Sequence, residues 1–322
     1  MIVVTGGAGF IGSNVVARLC ERGFEVAVCD RLGDGEKWRN LAKHPIAALV
    51  PPERLEAVLD PASTEAVVHM GAISDTTATD GEAVMATNLA LSLELWRWCA
   101  AHGKRLIYAS SAATYGDGAA GFDDDAAALD RLRPQNLYAF SKHLFDRQAV
   151  RLAAAGAAPA QWVGLKFFNV YGPNEYHKGA MRSLIAKAYG PAARGEPVTL
   201  FRSHRAGFAD GEQRRDFVYV ADCVAVIEWL LDHPEVNGLY NVGSGRGRTF
   251  LDLVGALFRA LGREPRVVFV DMPETLRDRY QYATEAAMAR LRATGYDAPF
   301  APVEDGVADY VSRFLATPDP YR

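Results

Sequence analysis

The chain opens Met1-Ile2-Val3-Val4-Thr5-Gly6-Gly7-Ala8-Gly9-Phe10-Ile11-Gly12, and the reading of these twelve residues decides the fold. Met1–Thr5 is a short apolar, β-branched run, the pattern of a strand buried on both faces. It passes directly into glycines at two overlapping spacings, Gly7/Gly9/Gly12 and Gly6/Gly9/Gly12, and then into a helix-forming run from Ser13 to Arg22. Glycine permits a tight turn here and lets backbone N–H groups approach a pyrophosphate, whose charge a helix N-terminus favours. The next apolar run, Glu25–Asp30, ends on a carboxylate able to accept a ribose hydroxyl. Gly6, Gly9, Phe10, Ile11, Gly12 and Asp30 are therefore candidate dinucleotide contacts. Arg31 and Lys37 follow closely. A carboxylate favours NAD by repelling a 2′-phosphate, whereas two cations can clamp one, so both NAD and NADP stay open.

Working outward, Ala66–His69, Arg105–Ala109 and Trp162–Phe167 repeat the buried-strand pattern, and Gly81–His102, Tyr138–Ala155 and Lys178–Arg194 read as helices. Strands alternating with helices of this length predict an α/β fold, a doubly wound, Rossmann-like parallel sheet. The stretch from Leu32 to Asp60 carries Pro51 and Pro52 and no convincing third strand, so an irregular crossover is expected there. After residue 170 the loops lengthen and the helical pieces near 249–261 and 303–315 surround short strands. Residues 1–170 are expected to form the dinucleotide-binding domain, joined by returning segments near 215–245. Residues 171–322 would mainly form a smaller, interleaved C-terminal substrate lobe. The Ser203–Arg214 loop is long enough to be a candidate substrate lid.

Composition narrows the function. The 322 residues are 49% hydrophobic and 23% charged, with a formal charge of −4. That balance offers no broad positive field for nucleic acid or an anionic membrane. The uncharged stretches 1–17 and 152–165 are too short to span a bilayer, and the first lacks the positive start of a secretory signal. Cys20, Cys29, Cys99 and Cys223 are scattered without a ligand spacing, which points to structural thiols in a reducing, cytoplasmic setting and to no metal site.

Tyr138 and Lys142 stand four residues apart, hence on one helix face. A neighbouring cation favours tyrosinate and is expected to bring the Tyr138 pKa down toward the range of a general base. Ser111 lies just past a strand end, where open α/β sheets bind ligands, and its hydroxyl can bond a reacting oxygen.

Together these features resemble the extended short-chain dehydrogenase/reductase family. The resemblance rests on Thr5–Gly12, His69-Met70-Gly71-Ala72, Asn88, the Tyr138/Lys142 pair and Arg215-Asp216-Phe217-Val218-Tyr219-Val220. Further strings are similar to those of its ADP-glyceromanno-heptose 6-epimerase subfamily. These are residues 34–41, Tyr108–Gly116 (YASSAATYG), Phe168–Pro173, His177-Lys178-Gly179 and Arg279-Tyr280-Gln281. The resemblance implies inversion at C6 of an ADP-linked heptose by transient oxidation and reduction. It implies Tyr138 and Lys178 as the two acid/base groups, Lys142 as the residue positioning the nicotinamide ribose, and Ser111 as the orienter of the carbonyl. It adds Met70, Gly71, Ala72, Asn88, Val170 and Lys178 to the cofactor contacts, and Asn169, Ala180, Lys187, Phe201, Arg215 and Tyr280 to the substrate contacts. It further implies NADP, with NAD as the other form, a homo-oligomer (typically a pentamer), and a role in building the lipopolysaccharide core.

The chain departs from the pattern where better-known members have Asn, Lys, Ser and His: it has Arg31, Pro52, Ala180 and Lys187. Met70 stands for a frequent Glu, and the 203–214 loop is longer. Other nucleotide-sugar 4-epimerases or reductases on this scaffold, and a non-catalytic dinucleotide-binding protein, are the competing readings. Ala112-Ala113-Thr114 stands where sugar 4,6-dehydratases carry an Asp-Glu pair, which argues against dehydration. The intact Tyr138/Lys142 pair argues against a purely binding role.

Overall fold

A computed structural model describes residues 1–277 and 280–322. Its centre is a sheet of seven parallel strands: β1 (Ile2–Thr5), β2 (Val26–Cys29), β3 (Ala48–Val50), β4 (Ala66–His69), β5 (Arg105–Ser111), β6 (Gln161–Phe167) and β10 (Gly238–Val242). Their order is β10-β6-β5-β4-β1-β2-β3. The chain leaves β1 toward β2 on one side and returns to β4 on the other, so a crevice opens beyond Thr5 and His69, which pair in register. Ligands of such sheets bind at that switch point.

Alternation along β1 explains the two cores. Ile2 and Val4 pack with α1 (Phe10–Glu21) and α6 (Val220–Asp232), through Val15, Leu19, Ile227 and Leu230. Val3 faces the other way, into Leu95 and Trp96 of α3 (Leu91–Ala101) and Phe145 of α4 (Leu137–Ala154). A third core, containing Tyr171, Ile185, Phe217, Leu257 and Val307, holds together α5 (Leu184–Ala193), α7 (Phe250–Ala260) and the helix Val303–Tyr310. Two small sheets complete this part. One is β7 (Asn169–Tyr171), β9 (Arg214–Tyr219) and β11 (Gly247–Thr249); the other is β8 (Val198–Phe201) with β12 (Val267–Val270).

Three expectations change. A third strand does form between Leu32 and Asp60: Ala48–Val50 pairs with Ala27–Cys29 at the sheet edge. The helix expected over Gly81–His102 is divided, with α2 (Gly81–Met85) and α3 separated by a π-helical turn at Ala86–Ala90. The helix expected from Lys178 starts only at Leu184. Tyr176–Met181 is instead a 3₁₀ turn broken at Gly179, whose φ of 53° ends helical geometry, and the Ser183 side chain caps α5 by accepting from Ala186 N. None of the helices among the described residues is long and apolar enough to cross a membrane.

Candidate active site

The glycine turn is shaped by close backbone approach. Gly6 has a φ of +65°, and a Cβ on it would stand 2.5 Å from the Gly71 amide; one on Gly12 would overlap the Gly6 carbonyl oxygen. The turn between β1 and α1 therefore lies against the Met70–Gly71 backbone with no room for side chains. Gly9 N donates to Gly6 O at 2.9 Å, and α1 begins at Phe10 with its first-turn N–H groups lacking intrahelical partners. This cradle fits a pyrophosphate. Beside it, the Asp30 carboxylate accepts from Ala8 N at 2.9 Å and Arg31 N at 2.7 Å, and the Lys37 ammonium lies 2.6 Å from it. The Arg31 guanidinium turns away to Glu53.

Buried polar side chains hold this end rigid. The Asn40 amide donates to Ala8 O at 2.9 Å, Asn14 to Pro173 O at 3.0 Å, and Asn174 to Ser13 Oγ at 3.0 Å. Thr5 Oγ1 and His69 Nδ1 are 2.5 Å apart, and His69 Nε2 is 2.8 Å from Ser92 Oγ. Complete burial, with the Lys142 charge nearby, pushes the His69 pKa down to about 3, so the ring is a neutral strut.

The second wall comes from α4 and β5. Asn136 caps α4 by accepting from Ala139 N, which places Tyr138 in the first turn and Lys142 one turn on. Lys142 is 2% exposed and donates to Ala109 O at 2.8 Å. Burial pulls its pKa to about 8, against the opposing pull of Asp146. Tyr138 behaves differently from expectation: burial raises its pKa, and the group that opposes the rise is the neighbouring Ser111 hydroxyl rather than Lys142. Ser111 Oγ also accepts from Ala113 N at 3.1 Å.

The third wall is the 176–181 turn. Lys178 lies with its ammonium 5.3 Å from the Phe10 ring centre. Burial lowers its pKa, opposed by Glu175. Glu175 is fully buried and accepts from Ser183 Oγ at 2.7 Å and Tyr310 Oη at 3.2 Å, which fixes the turn.

All three walls enclose one cavity of about 1150 Å³. That exceeds the roughly 300–1,000 Å³ of a single-ligand site and gives room for a dinucleotide and a second ligand together. It brings together Gly6, Gly9, Phe10, Ile11, Gly12, Asp30, Arg31, Lys37, Met70, Gly71, Ala72, Ser111, Tyr138, Lys142, Asn169, Val170, Lys178, Lys187, Phe201 and Tyr280.

Asn88, Ala180 and Arg215 are not on the cavity wall. Asn88 is fully buried, its amide bonded to both backbone groups of Ile73 and to Ser141 Oγ, so it supports the 70–73 loop from behind. Ala180 is exposed just past Gly179. Arg215 is buried behind the wall, its guanidinium 4.9 Å from the Tyr280 ring and 5.8 Å from that of Phe250, both of which line the cavity. Among the described residues it has no carboxylate partner. Arg279 lies outside the described residues.

In the candidate lid loop 203–214, residues 203–212 do not line the cavity and Gln213 does; Ser203 N donates to Asp210 at 2.8 Å and His204 N to Tyr282 Oη at 3.0 Å. Sequence reasoning missed Thr87, Arg182 and Gln213, which line the cavity, and the Asn14, Asn40 and Asn174 braces. No motif spacing marks them.

Residues 2–243 match the model of the NAD dependent epimerase/dehydratase family. The chain belongs to that family. An ADP-L-glycero-D-manno-heptose-6-epimerase of Nitratidesulfovibrio vulgaris is 50% identical over 326 residues, covering 100% of both chains. The crystal structure of Helicobacter pylori ADP-L-glycero-D-manno-heptose-6-epimerase superposes with a TM-score of 0.80 at 28% identity, covering 98% of this chain and 96% of that one. The Thermus thermophilus UDP-glucose 4-epimerase, solved with NAD, gives a TM-score of 0.75 at 28% identity over 96% of this chain and 97% of that one. The family's Rossmann-like sheet is thus the fold of this chain, and its cofactor is a nicotinamide dinucleotide.

Proposed function

We propose that this chain is an isomerase that inverts C6 of ADP-D-glycero-D-manno-heptose to give ADP-L-glycero-D-manno-heptose. The observation that carries the reading is that Tyr138 and Lys178 reach one cavity from separate elements, α4 and the 176–181 turn, with the dinucleotide cradle between β1 and α1 opening into the same space. The full-length 50% identity to a heptose 6-epimerase supports the sugar and its ADP group.

A bound NAD(P)+ supplies hydride acceptance from C6 and hydride return to it. Lys178, made less basic by burial, takes the C6 hydroxyl proton as the carbonyl forms. Ser111 holds the carbonyl oxygen. After the ketone turns over, Tyr138, protonated in its buried setting, gives a proton to the oxygen. In the reverse direction the two groups exchange roles, and the net reaction consumes no redox equivalent. Lys142, Arg182 and Lys187 add positive charge along the cavity, which suits a substrate bearing a pyrophosphate.

For the cofactor, NADP is proposed, with NAD accepted. Lys37 neutralises Asp30, which removes the repulsion that a lone carboxylate would exert on a 2′-phosphate. Four free cysteines fit a reducing, cytoplasmic setting. The test of function is to incubate dinucleotide-loaded protein with the D-glycero substrate and follow C6 by NMR. Conversion to the L-glycero form supports the reading; a folded, loaded sample that leaves C6 unchanged overturns it.

A further inference from the structure

Tyr138, Lys142 and Asp146 fall four residues apart on α4 and so share one helix face. The first two line the cavity, and Asp146 is fully buried one turn further along. Donors from two strands enclose its carboxylate: Tyr108 Oη at 3.1 Å and Ser110 Oγ at 2.7 Å from β5, and the Lys166 ammonium at 2.6 Å from β6. Lys166 is equally buried and also donates to Thr114 Oγ1 at 2.8 Å, whose hydroxyl donates to Ser111 O at 2.8 Å. Lys142 meets β5 between these anchors, at the Ala109 carbonyl. A buried ion pair is a weak source of net stability, since desolvation offsets most of its attraction. Its place beneath this face points to another role.

We infer that the Asp146–Lys166 pair positions the Tyr138–Lys142 face, by registering α4 against β5 and by balancing the charge on Lys142. This rests on the assignment of Tyr138 and Lys142 to the chemistry. Asp146 sets the register because it gathers Tyr108 and Ser110, the residues on either side of Ala109, so Lys142 and Ser111 keep a fixed spacing. It balances charge because a carboxylate one turn away favours the ammonium that burial disfavours. The other charged or titratable groups that meet this cluster are neutral His69 on β4, which feels the Lys142 charge, and Tyr108 on β5 and Lys166 on β6, which both reach Asp146. The Lys166 charge acts against that of Asp146.

The test is an NMR titration of protein carrying lysine labelled with carbon-13 at Cε. The Lys142 signal is the one absent from Lys142→Arg, and in the parent it should titrate at about 8. Lys166→Met leaves the Asp146 carboxylate unopposed, and Lys142 should move up by roughly half a unit or more. Asp146→Asn combined with Lys166→Met removes both charges and orphans neither, and Lys142 should move down by roughly as much. Opposite shifts support the inference, because a merely structural pair would move neither. Unchanged or like-signed shifts overturn it. If Lys166→Met does not fold, the double variant decides alone: a downward shift supports the inference, and no shift overturns it. The titration needs no sugar. Opposite shifts in a protein that inverts no nucleotide sugar would refute the proposed reaction and leave the pair's role standing.

Discussion

Lys142 Nζ donates to the Ala109 carbonyl at 2.8 Å, and that bond ties the helix bearing Tyr138 to the strand that ends in Ser111. The phenol, the ammonium and the serine hydroxyl are therefore linked through one helix–strand contact. Lys178 stands apart from them, on a turn braced by Glu175. Two independently supported side chains, Tyr138 and Lys178, suit the proposed roles in a reaction that must serve both faces of one carbon.

That separation yields the first prediction. Tyr138→Phe and Lys178→Met should each slow turnover by at least about 10²-fold, the lower range for a lost acid/base group. Steady-state kinetics on loaded protein measures this. A Lys178→Met enzyme with parental turnover would remove Lys178 from the chemistry.

Cofactor choice is the second. Arg31 pairs with Glu53, while Lys37 pairs with Asp30. Arg31→Ala should weaken NADP more than NAD, and Glu53→Gln, which releases the guanidinium, should strengthen NADP alone. Calorimetric titration of each dinucleotide reads both. Equal losses for the two cofactors would make Arg31 a bystander.

The glycine turn gives a third. Gly12→Ala places a methyl group on the Gly6 carbonyl, so the turn must open. Dinucleotide affinity should fall at least about tenfold, corresponding to roughly 1.4 kcal/mol. Quenching of intrinsic fluorescence on titration measures it, and parental affinity would contradict the close packing described.

A fourth concerns acid stability. His69 has a folded-state pKa of about 3 against an ordinary 6.5. Between those values the unfolded chain binds a proton that the folded chain refuses, so stability falls as pH drops through that window. The His69 share has a ceiling of about 1.4 kcal/mol per pH unit. Denaturant melts at pH 7 and pH 5 should show a smaller loss for His69→Gln than for the parent. An equal loss would mean that His69 is protonated in the fold.

Much of this was legible from residue pattern, because the deciding signals are local. Met1–Gly12 carries its strand, turn and helix start in consecutive residues, and the 138/142 spacing needs only helical periodicity. What escaped depends on distant partners. Ala48–Val50 is three residues long and half exposed, and becomes a strand only by pairing with Ala27–Cys29. The run from Lys178 has helical composition, yet Gly179 turns to positive φ there. Asn14, Asn40 and Asn174 are single polar residues that meet only once α1 and the 173–174 segment are in place. The Tyr138 shift also escaped, since burial, which no spacing reports, raises its pKa and the group that opposes the rise is Ser111 rather than the helical neighbour Lys142.

The most direct measurement follows the hydrogen on the inverted carbon. ADP-D-glycero-D-manno-heptose carrying deuterium at C6 should be converted to the L-glycero form with the deuterium still at C6, because the same hydride leaves and returns while the sugar stays bound. Inversion with solvent hydrogen at C6 would instead mean deprotonation at carbon, and would contradict the redox account of this site.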